Sequence, residues 1–407
     1  MRLKVAYIVS RFPHLPETFI LREMIALEGK DIQVELFPLI IQKQKVVHPD
    51  AQKWLSRLHH IRLFSLGTLA ANLRTILHQP GNYFSILFQI IWFNLSNPKF
   101  FIRAAFIFPV VVKMAEEMSA QAISHIHAHY ATHPALAAFI ISRLTRIPFS
   151  VSVHAHDIFV DHTKLKKKLQ KAVFIRSISE FNRDYLSAYC GKWIEEKAYV
   201  IHCGILPAMY QQATKRSSNQ FKVISIGSLQ PYKGYEYLIR MCKKLKDQDY
   251  QFTCAIIGGG ELRGDLFRKT EKLDLLDVVE FLGPKTESEV AEFLAQSHCY
   301  VQPSIVTRTG KMEGIPVAIM EALVCKLPVI AANISGIPEL IEDHQTGLLV
   351  PPSDPQALAD KIIWVINHPE ESKKMADNGY KRVCTDFDLE KNTSQLMSLF
   401  IKHQKIK

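Results

Sequence analysis

Short apolar runs alternate with longer amphipathic stretches along the whole chain, the order that a parallel α/β sheet requires. Buried strands are predicted near residues 3–9, 32–38, 123–127, 148–153, 173–177 and 199–202. A second set is predicted near 221–227, 252–257, 278–281, 298–301, 328–331 and 347–350. Between the sets, residues 211–220 (Gln-Gln-Ala-Thr-Lys-Arg-Ser-Ser-Asn-Gln) are polar and poor in core residues, which marks a linker. Helical stretches at about 370–384 and 388–403 close the chain. At 407 residues the pattern has room for two α/β domains of about 200 residues each, every one large enough to bury its own core.

One region departs from simple alternation. Residues 83–112 are rich in aromatic and aliphatic side chains: Ile86 to Leu95, a break at Asn97-Pro-Lys99, then Phe100 to Val112 with Arg103 as its one charge. Neither half reaches the roughly 18 apolar residues that a bilayer span needs. They read either as helices packed on the first sheet or as interfacial helices with aromatic anchors. The apolar start, Met1 to Val9, is too short for a signal peptide and reads as the first strand, which points to a cytoplasmic protein. The seven cysteines are scattered, odd in number and without a Cys-x-x-Cys, so reduced thiols are expected, with no disulfide framework or zinc site.

Charge sharpens the division into halves. Residues 1–205 hold 25 Lys and Arg against 14 Asp and Glu, whereas residues 206–407 hold 25 of each. A basic first half suggests an anionic partner. No helix-turn-helix, RRM or zinc-finger pattern accompanies the charge, so nucleic acid is set aside in favour of an anionic membrane surface or a diphosphate-linked lipid. Lys164, Lys166, Lys167, Lys168 and Lys171 form a compact basic cluster on a predicted helix, either a solvated face or a contact for lipid phosphate.

The most informative chemistry lies between Lys311 and Ala332. Gly314 and Pro316 interrupt the chain before a helix predicted over Val317 to Val324, and a buried strand follows. Glu313 therefore precedes a helix N-terminus and Glu321 projects from the helix about two turns on. Free amides at that terminus, near Gly314 and Ile315, suit a diphosphate or sugar hydroxyls, and two flanking carboxylates can accept from hydroxyls of a sugar or ribose. Lys233 follows the strand Lys222 to Gly227 and precedes a helix over Tyr235 to Lys246, so its ammonium can reach a diphosphate at a strand-to-helix crevice. Gly258 and Gly259 lie in a Gly-Gly-Gly turn after the strand Phe252 to Ile257, where backbone can approach a nucleotide. His154 ends the strand Pro148 to Val153, at the edge where α/β folds place ligands, with His156 and Asp157 beside it. His125, His127 and His129 alternate along a strand but lack an evident partner carboxylate or cysteine, so no metal is assigned. Asp247-Gln-Asp249 has the form of a metal-binding Asp-x-Asp, yet falls in a polar turn away from the strand C-terminal edge and reads as surface.

Taken together, Glu313-Gly-Ile-Pro…Glu321-Ala, Pro328-Val-Ile-Ala, Gly336-Ile-Pro-Glu339 and Thr346-Gly-Leu-Leu-Val-Pro-Pro352 resemble the retaining glycosyltransferases of family 4. Val223 to Leu229 with Lys233-Gly, and Ala255 to Arg263, look like that family's two glycine-rich loops. Ser10 to Phe19 and His154-Ala-His-Asp-Ile-Phe159 look like the branch that builds exopolysaccharides, the colanic-acid type among them.

The resemblance implies a GT-B fold: two Rossmann-like domains facing a central cleft, with the acceptor held by residues 1–205 and the nucleotide sugar by 206–385. A last helix, 386–407, would cross back to the first domain. It implies a donor set of Lys233, Gly227, Ser228, Gly258, Gly259, Arg308, Gly314, Ile315 and Glu321, with His154 and Glu313 as catalytic residues. Glu17, Thr18, His129, His156 and Asp157 would lie on the acceptor side. Many members carry Arg after the glycine equivalent to Gly227. Here Ser228 leaves one cation fewer, for which Arg308 or the amides near Gly314 could compensate. No cofactor and no metal are implied, because GT-B enzymes stabilise the leaving diphosphate with basic side chains and a helix dipole. The expected activity is transfer of a sugar from a nucleotide-sugar donor to a hydroxyl of a growing, lipid-linked surface polysaccharide, by a cytoplasmic enzyme with peripheral contact to the inner face of the plasma membrane. Two alternatives stay open: a GT-B relative with other chemistry, such as a phosphorylase or epimerase, and a non-catalytic membrane-binding protein of the same fold.

Overall fold

The computed structural model describes residues 3–14, 17–43, 49–94, 98–160, 162–210 and 220–405. Asn97 of the expected break and residues 211–219 of the expected linker lie outside them. The chain divides into two compact units. The first takes residues 1–178, 182–201 and 393–407, and the second takes 179–181 and 202–392.

In the first unit six parallel strands run β1 (Lys4–Val9), β2 (Gln33–Pro38), β3 (His125–His129), β4 (Phe149–Val153), β5 (Ile175–Ser177) and β6 (Ala198–Val200). Their spatial order is β2-β1-β3-β4-β5-β6, so the sheet changes direction of growth between β1 and β3. Val5, Tyr7, Val34 and Leu36 fill one side of this sheet together with Leu396, Leu399 and Phe400. Those last three lie on the closing helix Leu389–Lys402, whose residues from Thr393 belong to this unit. The strand β3 lies two residues later than the periodicity placed it. Ser124 instead accepts from the Lys405 amide at 2.9 Å, and His129 becomes the strand's last residue.

The second unit repeats the design with β7 (Phe221–Ile226), β8 (Phe252–Ile257), β9 (Val279–Gly283), β10 (Cys299–Gln302), β11 (Val329–Ala332) and β12 (Leu348–Val350). The order β12-β11-β10-β7-β8-β9 is that of a dinucleotide-binding sheet, with its switch point between β7 and β10. Alternation along each strand splits the core in two. Val223, Cys254 and Val301 enter one cluster while Ile224, Ile226 and Tyr300 enter the other. Strands covered on both faces in this way read as unbroken apolar runs, which is why all twelve were visible in the sequence. A crevice at the C-terminal ends of β7 and β10 is where such a sheet places ligands.

Candidate active site

Both loops that leave the switch point of the second unit carry charge into it. After β7 comes a short 3-10 turn, Pro231–Lys233, ended by Gly234 at φ 69°. A Cβ there would stand 1.9 Å from the Pro303 carbonyl oxygen, so only glycine lets this turn press on the loop after β10. That pressure aims Lys233 inward, where its Nζ lies 2.5 Å from Glu313 Oε1, both residues being buried. Burial lowers the Lys233 pKa, but the Glu313 carboxylate and the Tyr232 ring beside it more than offset this, and the ammonium ends above its ordinary value. Glu313 is held in turn by Ser304 Oγ at 3.2 Å, which accepts from Gln302 Nε2 at 2.8 Å. Gln302 Oε1 accepts from the Tyr300 hydroxyl at 2.5 Å. The carboxylate is thus positioned by a hydrogen-bonded row along β10.

Four residues on, the helix Val317–Val324 begins at Pro316 with no side-chain cap. Its N-terminal partial charge faces the loop that carries Gly314 and Ile315. Glu321, on the same helix, accepts from Tyr210 Oη at 2.8 Å, and that hydroxyl is also 3.1 Å from Glu287 Oε1. Lys233, Glu313, Gly314, Ile315 and Glu321 therefore occupy the two loops and one helix at the switch point.

The glycines also let the two loops meet each other closely. Gly258, at φ 143°, has no room for a Cβ because the Gly227 carbonyl oxygen would lie 1.9 Å away. The two glycine-rich loops are pressed against each other, and Gly259 packs on Pro284. Ser228 Oγ stands 3.5 Å from the Tyr232 hydroxyl. Arg308 is exposed in the turn that Thr307 and Lys311 close, whereas Lys311 places its Nζ 4.6 Å from the centre of the Tyr232 ring. Tyr232 and Lys311 were missed in the sequence. The available signal was a lysine two residues before Glu313 and an aromatic beside Lys233. Asp247 and Asp249 lie exposed in a turn, and Lys243 pairs with Asp247.

The first unit builds its polar cluster from histidines. His125, His127 and His129 share one face of β3, all fully buried. Ser150 Oγ lies 2.7 Å from both His125 Nε2 and His127 Nδ1, and Ser152 Oγ lies 2.8 Å from His127 Nε2. His129 Nε2 is 3.3 Å from Glu23 Oε1, and its Nδ1 is 3.2 Å from His154 Nε2. Glu23 also pairs with Arg176 and accepts from Tyr7 Oη at 2.7 Å. Burial raises the Glu23 pKa, yet Arg176, His129 and His127 outweigh it and hold the carboxyl well below its usual value. Burial, with His129 and Arg176 nearby, holds His154 well below the ordinary imidazole range, so the ring is neutral at pH 7.

The ligand atoms of Glu23, His127 and His129 lie within 4.8 Å of one another, close enough for a metal ion. The partners already there argue for a polar core cluster instead. A guanidinium occupies the carboxylate and two serine hydroxyls occupy the His127 nitrogens. Sequence reasoning placed His129 on the acceptor side, but it lies behind His154 and presents nothing to solvent. Glu23 and Arg176 were not anticipated, because nothing in the local pattern says that they meet.

Asp157 is also fully buried. Its carboxylate accepts from the amides of Ala131, His154 and Ala155 at 2.8, 3.1 and 2.8 Å, so it fixes the turn that carries His154 and offers no free oxygen edge. His156 is exposed, and its ring lies 5.2 Å from that of Tyr130. Tyr130, at φ 77°, ends β3 in a left-handed conformation that turns its ring onto both His154 and His156. Glu17 and Thr18 line a recess of about 400 Å³, open mouth included, with Arg11, Phe12 and His14. Burial pushes the Glu17 carboxyl up to about 7, against hydrogen bonding from Tyr130 and the charge of Arg11.

Two Rossmann-like units of this order make up the GT-B fold of glycosyltransferases, and solved structures agree. A glycosyltransferase from Rickettsia africae ESF-5 matches with a TM-score of 0.73 at 17% identity, covering 99% of each chain. Anabaena Alr3699/HepE, crystallised in complex with UDP, matches with a TM-score of 0.74 at 18% identity over 98% of this chain and 100% of that one. Residues 209–382 match the family described as Glycosyl transferases group 1. Among its relatives, WcaL of Salmonella typhimurium, described as a colanic acid biosynthesis glycosyltransferase, is 26% identical over 98% of this chain and 99% of its own length. AmsK of Erwinia amylovora, an amylovoran biosynthesis glycosyltransferase, is 38% identical over 40% of each chain.

Proposed function

We propose that this chain is a family 4 retaining glycosyltransferase that moves a sugar from a nucleotide-sugar donor to a hydroxyl of a growing, lipid-linked surface polysaccharide. The observation that carries this reading is the Lys233–Glu313 pair at the switch point, beside the open N-terminus of the helix that bears Glu321. Relatives named for colanic acid and amylovoran synthesis support the class of product, and the UDP bound by HepE supports the class of donor.

In this reading the pair is a resting state. The donor diphosphate takes over the Lys233 ammonium, with Lys311, the amides near Gly314 and Ile315, and the loop at Gly227 and Ser228 around it. Glu313 is released to accept from sugar hydroxyls, and Glu321 accepts from the ribose. Gly258 and Gly259 serve by holding that loop in place, and Arg308 remains outside this set. His154, neutral, touches the sugar at its reacting carbon, and the histidine and carboxylate behind it fix its ring. Glu17, Thr18 and His156 serve the acceptor, whereas His129 and Asp157 act by positioning.

The bond from the sugar's anomeric carbon to phosphate breaks as the acceptor oxygen bonds to the same face. The departing phosphate oxygen takes the acceptor proton, and an oxocarbenium-like state is stabilised by the surrounding dipoles. No metal or cofactor is required.

The test is a panel of nucleotide sugars given to the purified chain, following release of nucleoside diphosphate and the anomeric configuration of the product by NMR. Turnover with retained configuration in excess EDTA is expected. An inverted product, or activity lost to EDTA and restored only by Mn2+ or Mg2+, would overturn this mechanism.

A further inference from the structure

Three consecutive helices of the first unit carry apolar side chains where solvent should meet polar ones. The helix Leu66–His78 is inverted. Its inward positions are Thr68, Ala71 and Asn72, all buried, while Leu66, Leu69, Leu73 and Leu77 point outward with relative exposures of 86, 58, 52 and 77%. The inversion is stable because the inward polar groups are satisfied. Asn72 Nδ2 donates to Thr68 O at 2.8 Å and Pro109 O at 3.0 Å, and Asn72 Oδ1 accepts from Tyr83 Oη at 3.0 Å. Ser65 Oγ caps the helix by accepting from the Thr68 amide at 3.1 Å. This helix is therefore specified with its leucines outward.

The next helix, Pro80–Asn94, is apolar on both sides. Tyr83, Ile86 and Ile90 pack inward, and Phe84, Phe88, Ile91 and Trp92 form an outward stripe at i, i+4, i+7 and i+8. Phe88 and Trp92 stack at 6.3 Å. In the helix Pro98–Ala120, Ile102 and Phe106 are more than half exposed, one turn apart, while Phe100, Ala104 and Phe108 are buried. The inward sides of these helices pack on one another and on the helix His133–Thr145, and their outward sides are left apolar. A contiguous stretch of exposed leucine and aromatic side chains of this kind marks an interaction surface.

Charge says what covers it. From Ala51 to Ala115 the chain holds seven lysines and arginines and not one aspartate or glutamate. Arg62 and Arg103, at the margins of the apolar stripes, are exposed. Lys53, Arg57, Arg74 and Lys113 pair with acidic residues outside that stretch, Asp50, Glu28, Glu116 and Glu117, which leaves Arg62 and Arg103 as its exposed cations outside any ion pair among the described residues. A surface that combines aromatic side chains with such cations matches the interface of an anionic bilayer, whereas a second copy would bring the same charge against itself. Among the described residues no helix is long and apolar enough to cross a membrane, so the contact lies on the bilayer without spanning it. The lysine cluster at 164–171 is not the main element. Lys168 is buried with its Nζ 5.3 Å from the centre of the Phe100 ring, so the cluster is not wholly a solvated face, although Lys166, Lys167 and Lys171 are exposed.

We infer that the outward faces of the helices Leu66–His78, Pro80–Asn94 and Pro98–Ala120 are the surface by which this protein lies on an anionic lipid bilayer, with the leucines and aromatics in the interface and Arg62 and Arg103 at the headgroups.

The experiment uses the full chain with vesicles of phosphatidylcholine alone or mixed with phosphatidylglycerol, and reads sedimentation with lipid. It also reads quenching of Trp92 by brominated acyl chains, with Trp92→Phe as the blank. Wild type should bind the anionic vesicles and Trp92 should be quenched. The variant Leu69→Glu/Leu73→Glu/Leu77→Glu should bind at least about a hundredfold more weakly, since three interfacial side chains are lost. Its substitutions are on exposed positions, so its unfolding midpoint and nucleoside diphosphate binding should match wild type. Arg62→Gln/Arg103→Gln should weaken binding about thirtyfold on anionic vesicles and leave the neutral ones unchanged. Undiminished vesicle binding by the leucine variant overturns the inference. So does a wild type that ignores lipid but self-associates in solution and is dissociated by the same substitutions.

Discussion

The two sheets use one architecture and stabilise their polar centres by opposite means. In the second unit a single cation and a single carboxylate, Lys233 and Glu313, face each other at a switch point built by glycines. In the first, four histidines, a glutamate and an arginine are packed into the sheet itself, and the group that reaches the strand end, His154, is the last of a row. The first arrangement is poised to exchange partners with a charged ligand. The second has no charge to give up, because the Glu23–Arg176 pair lies behind the histidines and the imidazoles of His125, His127 and His154 are held neutral by burial. The contrast teaches that a strand-end site can be built to bind an anion or built to hold one ring still.

The strongest test of the contrast removes the cation of the exchanging site. Lys233→Ala should lower kcat/KM by about a thousandfold, since it deletes a buried charge-assisted contact to diphosphate and leaves Glu313 unpaired in the same place. Leaving a buried carboxylate without its partner should also cost about 3 kcal/mol of stability. The double variant Lys233→Ala/Glu313→Gln should recover most of that stability and none of the activity. If activity returns with stability, the pair is structural and the diphosphate is held elsewhere.

Next in size is a difference in acid response. His125 is pushed down to about 3, and His127 and His154 stand well below the usual 6.5, all chiefly by burial. A base with a lowered pKa in the folded state contributes stability that is complete above 6.5 and is lost as pH falls below it, because the unfolded chain takes up protons that the folded chain refuses. Between pH 7.5 and 5.5 each of these histidines should remove about 1.4 kcal/mol, about 4 kcal/mol for the three. The second unit's histidines, His202, His298, His344 and His368, are all at least partly exposed and form no such buried row. Limited proteolysis across this range, with fragments identified by mass, should find the first unit opening first at pH 5.5. Equal loss from both units would mean that the histidine row is not the acid-sensitive element.

How far the sequence carried follows from the same contrast. All twelve strands were legible because parallel strands covered on both faces are continuous apolar runs, and the helix over Val317–Val324 was marked by Gly314 and Pro316. The positions of Lys233, Glu313 and Glu321 were legible because each is fixed by local chain geometry, a turn or a helix start next to a strand. The first unit's network was not. Glu23 lies on the helix Thr18–Glu28 and meets Arg176 of β5 and His129 of β3 only through strand order, which no local pattern encodes. The outward leucines of Leu66–His78 follow a helical period like any core face. The direction of that face becomes visible only when Thr68 and Asn72 are seen buried.

A third experiment separates two carboxylates of the exchanging site. Each substitution removes a contact worth about 1.5–3 kcal/mol, or ten- to a hundredfold. Glu321→Gln should appear mostly as weaker binding of donor and nucleoside diphosphate, because the ribose is remote from the reacting bond. Glu313→Gln should appear mostly in kcat. Because Glu313 competes with the diphosphate for Lys233, the same variant should bind nucleoside diphosphate as tightly as wild type or more so. Calorimetry beside steady-state rates decides it. Loss of diphosphate binding in Glu313→Gln with none in Glu321→Gln would reverse the assignment.

The smallest expected effect concerns the second cation. Lys311 is half-buried over the Tyr232 ring, and Tyr232 stands beside both Ser228 and Lys233, so its ammonium lies at the edge of the same anion site. Solvent reaches it, and an exposed charge of this kind contributes only about 0.2–1 kcal/mol. Lys311→Ala should therefore weaken nucleoside diphosphate binding by no more than about fivefold. Screening separates it from Lys233, since salt acts on exposed charges and little on buried ones. Raising the ionic strength should erase the difference between Lys311→Ala and wild type while leaving the much larger defect of Lys233→Ala intact. Position 228 offers the complementary change. Ser228→Arg places a guanidinium after Gly227, and if Lys311 supplies the charge that Ser228 lacks, Lys311→Ala should cost nothing in that background. Additive effects of the two substitutions would show that Lys311 acts on Tyr232 alone and has no part in holding the diphosphate.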